Sequence, residues 1–202
     1  MAVVKLENGE LRDQIREAIY DSEVIEATGS VVRPIPFFSS ITVAGQPKSL
    51  ARTNLEQAGQ FTAYNSFRVQ GISMDAQNFN FASRDVLPGI QRNASIEFII
   101  GTKTYYRGPM TFVGGRLHEY ASIIATESSG SRVAQRLGEQ AVQGVVLEGK
   151  HSVDIEPLYT FRMQYNLLQA DCTPAEVALL TNLPARLILV ASLKGLRRRP
   201  VQ

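Results

Sequence analysis

The chain reads as an all-β protein, an antiparallel sandwich or barrel, and three features of the sequence predict it. The first is alternation across residues 159–167: Tyr159, Phe161, Met163, Tyr165 and Leu167 share one parity, and Thr160, Arg162, Gln164 and Asn166 the other. Successive side chains of a strand leave opposite faces, so one side of this segment meets a core and the other meets water. The second is a hairpin signal in residues 95–107, two β-branched and aromatic runs joined through Gly101, Thr102 and Lys103. The third is rhythm. Turn residues recur every eight to twelve positions, and no strand alternates with a long helix as a doubly wound parallel sheet requires.

Each element follows in order. Residues 10–21 place Leu11, Ile15, Ala18 and Ile19 on one helical stripe with charges elsewhere, and Asn8 suits an N-cap, so a short helix is expected there. Its narrow apolar face would dock on its own domain, on a neighbouring subunit or on a lipid surface. Residues 24–66 are short apolar pieces broken by Gly29, Pro34, Pro36, Gly45, Pro47 and Gly59, with short or edge-type strands at 35–38 and 41–43. Residues 67–74 resume strand alternation, and 75–88 read as a loop. After the 95–107 hairpin, Gly108 and Pro109 end the second strand, and residues 110–113 form another short piece before the Gly114-Gly115 turn.

Residues 131–142 suit a helix with Val133, Leu137 and Ala141 on one side, weakened by Gly138. Thr173, Pro174 and Glu176 form a capping box that starts a turn or two of helix through Leu180. Residues 186–194 read as a strand, bounded by Pro184 and Gly195, with Leu187, Leu189, Ala191 and Leu193 on one face. The expected organisation is an N-terminal helical arm over 1–23 and a single β-sandwich domain over 24–202.

The 202 residues, 44% hydrophobic and 20% charged, suffice for a substantial core. Cys172 is the one cysteine, so the fold needs no oxidising compartment. No apolar run approaches a membrane span of roughly 18 residues, and the first residues lack the pattern of a secretion signal, so synthesis in the cytoplasm is expected. The net charge of +2 is unevenly spread. Residues 1–30 carry three bases against seven acids, a net −4, while residues 186–202 carry five bases and no acid. Such ends would pair between neighbouring copies or face different surroundings.

Reactive clusters are sparse. His118 lies beside Glu119, and His151 precedes Asp154 and Glu156, but neither histidine has a second one near it, whereas a metal site wants three or four converging ligands. Cys172 before a helix start would favour a thiolate yet lacks an evident base. No Gly-x-Ser-x-Gly turn, phosphate loop or dinucleotide fingerprint occurs. The run Arg197, Arg198 and Arg199 suits a solvated tail, an arm that pairs with a neighbour, or phosphate contacts to a genome. Tyr105, Tyr106, Tyr159, Phe161 and Tyr165 have core spacing and read as packing residues. The expectation is no enzyme, no cofactor, no metal and no small-molecule substrate.

Taken together, residues 95–109, 153–161 and 187–199 resemble the strands of the single jelly-roll coat proteins of tailless icosahedral bacteriophages. The resemblance implies an eight-stranded jelly roll, several copies per capsomer and an N-terminal segment that faces inward or reaches a neighbour. A double jelly roll would need about twice this length. The implied function is a structural virion protein, a capsid subunit made in the host cytoplasm that self-assembles into an icosahedral shell. Its implied partners are other copies of itself in trimers, pentamers or hexamers, other virion proteins, and an internal membrane or the genome. On this view Leu11, Ile15 and Ile19 contact a subunit or lipid, and Arg197, Arg198 and Arg199 contact a subunit or the genome. Two other readings stand beside it. One is a carbohydrate- or receptor-binding sandwich, which the absence of tryptophan disfavours for sugar stacking; the other is a small cupin-like enzyme built around His118 or His151.

Overall fold

In the computed structural model, which describes residues 2–5, 11–25, 34–78, 93–113, 122–125, 132–135, 145–147, 152–167 and 187–200, the alternating segments pair into antiparallel sheets. The strands are β1 (Ala2–Lys5), β2 (Leu11–Ile25), β3 (Ile35–Phe37), β4 (Thr42–Val43), β5 (Gln46–Pro47), β6 (Ser66–Asn78), β7 (Ala94–Ile100) and β8 (Lys103–Pro109). They are followed by one helical turn, α1 (Met110–Val113). Then come β9 (Ser122–Ala125), β10 (Arg132–Gln135), β11 (Val145–Val146), β12 (Val153–Ile155), β13 (Phe161–Leu167) and β14 (Leu187–Pro200).

A six-stranded sheet runs β1-β2-β14-β6, with β11 and β12 succeeding one another along the far edge of β6. A four-stranded sheet runs β3-β13-β7-β8. Small hairpins β4-β5 and β9-β10 stand apart. The pairings are nested about the β7-β8 hairpin: β6 pairs β12, β3 pairs β13 and β2 pairs β14, each pair spanning the one inside it. Two further pairings, β14 with β6 and β13 with β7, join the nested pairs side by side.

One core takes side chains from both sheets: Ile19, Phe67, Val69, Ile72, Met74, Ile155, Leu189, Ala191 and Leu193 from the larger, and Phe37, Ile96, Phe98, Ile100, Phe161, Met163, Tyr165 and Leu167 from the smaller. Side chains of this size each contribute roughly 2 kcal/mol on burial. Phe61, from the connection between β3 and β6, stacks on Phe67 at 5.8 Å and on Phe161 at 5.1 Å, so one ring bridges the two sheets. The β13 alternation holds as read from the sequence, with Phe161, Met163, Tyr165 and Leu167 all buried. The 95–107 hairpin also forms, closed by Gly101 at φ 58°, the left-handed conformation a two-residue turn asks of its first position.

Several expectations are corrected. Residues 11–25 are not a helix but strand β2, hydrogen-bonded along its whole length to β14, from Leu187 opposite Ile25 to Pro200 opposite Arg12. The N-terminal segment is therefore integral to the larger sheet. Its charge pattern carries the reason: in β2 every acid sits at an odd position and every base at an even one, a period of two that a count of apolar residues overlooks. Part of the expected 131–142 helix, Arg132–Gln135, is strand β10 paired with β9; residues 136–142 lie outside the described residues. Residues 110–113 coil into α1 because Pro109 cannot extend the ladder, and the helical turn buries Met110 and Val113 together. β6 continues to Asn78 instead of ending at Met74, and Tyr159 stands exposed in a turn before β13 begins. The expected helix at 173–180 lies outside the described residues.

Candidate interaction surface

Alternation along β2 and β14 sorts their charges between the two faces of the larger sheet. On the inner side, Glu17, Asp21 and Glu23 share the parity of the buried Ile19. Each meets a cation from elsewhere in the chain. Arg197 of β14 lies 3.6 Å from Glu17 and 3.0 Å from Glu56. Lys48 lies 2.8 Å from Asp21 and 2.5 Å from Glu23, and the side chains of Lys48 and Asp21 are fully buried. The second Asp21 oxygen accepts the N–H of Phe38 at 2.7 Å, which holds Phe38 at φ 65°, a costly conformation for a bulky residue. A cavity of about 10 Å³, sized for one water, sits among Glu17, Asn54, Phe61 and Arg197.

The outer side carries the bases. Register aligns Arg16, Leu196, Arg68 and Asp154 across β2, β14, β6 and β12. The adjoining rows are Gln14, Arg198 and Ser66 on one side and Ala18, Lys194 and Gly71 on the other. Strand spacing of about 4.8 Å and a two-residue rise of about 6.7 Å put Arg16, Arg68, Lys194 and Arg198 on a patch about 10 by 13 Å. Asp154 is the one acid in these rows. It accepts two hydrogen bonds from Arg68, 2.8 and 2.7 Å, and lies 3.9 Å from Arg198. Burial pushes the Asp154 carboxyl up, but the Arg68 hydrogen bonds and the charges of Arg68 and Arg198 outweigh it and hold it below the usual value. The hydrogen bonds that Arg68 donates to Asp154 raise the Arg68 guanidinium in turn. Arg16 and Lys194 are exposed and make no ion pair among the described residues.

The residues singled out in the sequence separate. Ile19 is a core residue and Ile15 is half-buried on the same inner side, so they line no docking stripe; the Leu11 side chain lies outside the described residues. Arg197, Arg198 and Arg199 are no tail but the end of β14, flanked by β2 and, as far as Arg198, by β6. Arg197 turns inward to its acids, Arg198 outward to the basic patch, and Arg199 stands opposite Asp13 in the register. Arg16, Arg68 and Lys194 were missed, although the even-position bases of residues 11–25 were a readable signal for Arg16. His118, His151 and Cys172 lie outside the described residues. Among the described residues no group of histidine, cysteine and acidic side chains is arranged to hold a metal.

A second feature lies on the turn between β12 and β13. Pro157 and Leu158 occupy its centre, Tyr159 N–H bonds to the Glu156 carbonyl at 3.2 Å, and Leu158 stands at φ 65°. That is the geometry of a turn whose third position normally takes glycine. Leu158 and Tyr159 are nonetheless about three-fifths exposed, at 60% and 59%. Tyr64 and Leu50, on the connection between β3 and β6, are exposed as well, and the Leu158 N–H reaches the Phe61 carbonyl of that connection. No family model matches the chain, and no curated protein or solved structure matches it significantly.

Proposed function

We propose that the chain is a single jelly-roll capsid subunit that assembles with copies of itself into an icosahedral virion shell. One observation carries the reading: the nested pairing of β2 with β14, β3 with β13 and β6 with β12 around the β7-β8 hairpin. Eight strands paired in that way are a long hairpin rolled up on itself, which is how a jelly roll closes two sheets over one core. Folds host many functions, so the shell role rests on surface chemistry as well as topology.

That chemistry is the strained turn. A bulky residue in the left-handed region costs about 1 kcal/mol or more, and such strain persists at sites where it serves contact or switching. Here it presents Leu158 and Tyr159 to solvent, where neither contributes to the core. A contact with a neighbouring copy would use both.

The test is assembly. The purified protein, examined by electron microscopy and by light scattering on a sizing column, should form shells or closed capsomers; a strict monomer at high concentration overturns the reading. Leu158→Gly should leave the melting temperature of the subunit equal or higher, because glycine relieves the φ strain, while weakening assembly. Unchanged assembly removes this turn from the contact.

A further inference from the structure

We infer that the outer face of the larger sheet binds the phosphate backbone of duplex nucleic acid, through Arg16, Arg68, Lys194 and Arg198. The inference deepens the capsid reading, on which it rests for its biological setting: in a shell this face would be turned to the packaged genome.

Charge placement carries it. Glu17, Asp21 and Glu23 of β2 are spent inside, on Arg197 and Lys48, while Arg16, Arg68, Lys194 and Arg198 stand together on the outer face. There Asp154 is the one acid in their rows, and Glu156 adds a second negative charge near Arg68. Asp154 already accepts both Arg68 hydrogen bonds and stays ionised, so it offsets one cation of four. Arg16 and Lys194 are exposed with no acid against them among the described residues. Of the side chains between the bases, Gln14, Ser66, Ala18 and Gly71 are small or polar, and Leu196, between Arg16 and Arg68, is half-buried, so a bulky backbone can approach.

The occupant follows from what the rows contain. They hold no aromatic ring on which an unpaired base would stack, so the contact is to phosphates and does not read sequence. Binding to an anionic membrane draws on inserted apolar side chains as well as charge. Of the exposed large apolar residues, Leu50, Tyr64, Phe112, Leu158 and Tyr159 lie outside these rows, and Val146, opposite Gly71, is the single one that borders them among the described residues.

The experiment uses the full chain and a random-sequence DNA duplex, with binding followed by fluorescence anisotropy from low to physiological salt. Four phosphate contacts predict a slope of log affinity against log salt of about −3.6. Arg16→Glu combined with Lys194→Glu should lower affinity about tenfold or more at low salt and bring the slope to about −2. Both residues are exposed and make no ion pair among the described residues, so the melting temperature should hold. Arg162→Glu, on the exposed side of β13, should change neither quantity. The proposal is overturned by salt-independent binding, by a double variant that binds like the parent, or by an equal loss in Arg162→Glu. Tighter binding to single strands, or to phosphatidylserine-rich vesicles at equal phosphate, overturns it too. Anisotropy on the subunit is separate from assembly, so loss of duplex binding with intact shells sinks this inference alone.

Discussion

Lys48 shows how much a single side chain can decide in this molecule. Its ammonium is fully buried between Asp21 and Glu23, and Asp21 in turn pins the backbone of Phe38 at the start of the connection to β6. A buried ion pair is a modest source of stability as a pair, but removing one partner strands the other charge in a low-dielectric site. Lys48→Met should therefore cost about 3–5 kcal/mol in denaturant unfolding. Lys48→Met with Asp21→Asn should cost less than Lys48→Met alone, because the amide still accepts the Phe38 N–H and no longer carries charge. Equal or greater loss in the double variant would mean that the charge is not what matters. Asp154 makes the complementary case at the surface. Its folded pKa lies below the ordinary 3.8, so the ionised carboxylate stabilises the fold above that value and the contribution fades as pH falls through it. Asp154→Asn should lose about 1 kcal/mol at neutral pH, a gap that closes in acid unfolding series below pH 3.8. None of these pairings was legible in the sequence, because Lys48 lies 27 positions from Asp21 and Arg68 lies 86 from Asp154. Charge partners at that separation are set by register, which no local pattern encodes.

Among the elements, β13 and the β7-β8 hairpin were legible because each alternates apolar and polar residues and ends in turn chemistry. β2 was not, and its failure is instructive. A strand normally announces its inner face by apolar residues, but β2 fills that face with Glu17, Asp21 and Glu23 and borrows cations to neutralise them. Of the apolar residues that remain, Leu11, Ile15, Ala18 and Ile19 fall at helical spacing. The exposed length of β2 is also managed by a neighbour: Asn54 accepts the Tyr20 N–H at 2.9 Å and donates to the Ala18 carbonyl at 2.8 Å, closing an edge that would otherwise invite another chain. The basic patch became visible only once this strand was correctly placed. The sharpest sequence requirement at this scale is Gly195. Here β6 carries an extra residue, Gln70, as the register shifts from Lys194 opposite Gly71 to Gly195 opposite Val69. A Cβ on Gly195 would overlap the Arg68 carbonyl and lie 2.9 Å from the Phe67 ring. Gly195→Ala should cost about 2 kcal/mol or more, through displacement of backbone with nowhere to go. By contrast, Gly101→Ala meets nothing within 4 Å and should cost about 1 kcal/mol, from its positive φ alone. Similar melting temperatures for the two variants would show that the bulge yields more easily than its geometry implies.

At the scale of the whole molecule, the all-β class follows from alternation and turn rhythm, whereas the order of strands depends on contacts between the ends of the chain. β2 and β14 pair from Leu187 opposite Ile25 to Pro200 opposite Arg12, so the first long strand and the last close the larger sheet together. β14 is not an edge: it bonds β2 on one side and β6 on the other, and places Leu189, Ala191 and Leu193 in the core. A basic C-terminal tail could be trimmed without harm, and that was one reading of Arg197, Arg198 and Arg199. A central strand cannot. Removal of residues 187–202 would expose a whole edge of both β2 and β6, uncover the core facing them, and leave Glu17 without Arg197. The truncated chain should lose its cooperative thermal transition by circular dichroism and enter aggregates, because unpaired strand edges are templates for association. The same dependence bears on kinetics. Contacts between residues so far apart in sequence form only after a large loss of chain entropy, so refolding of the full chain should fall in the millisecond-to-second range of β-sandwiches. A truncated protein that still melts cooperatively near the parental temperature would mean that the larger sheet closes without β14, and the nested topology would then not be what holds this fold together.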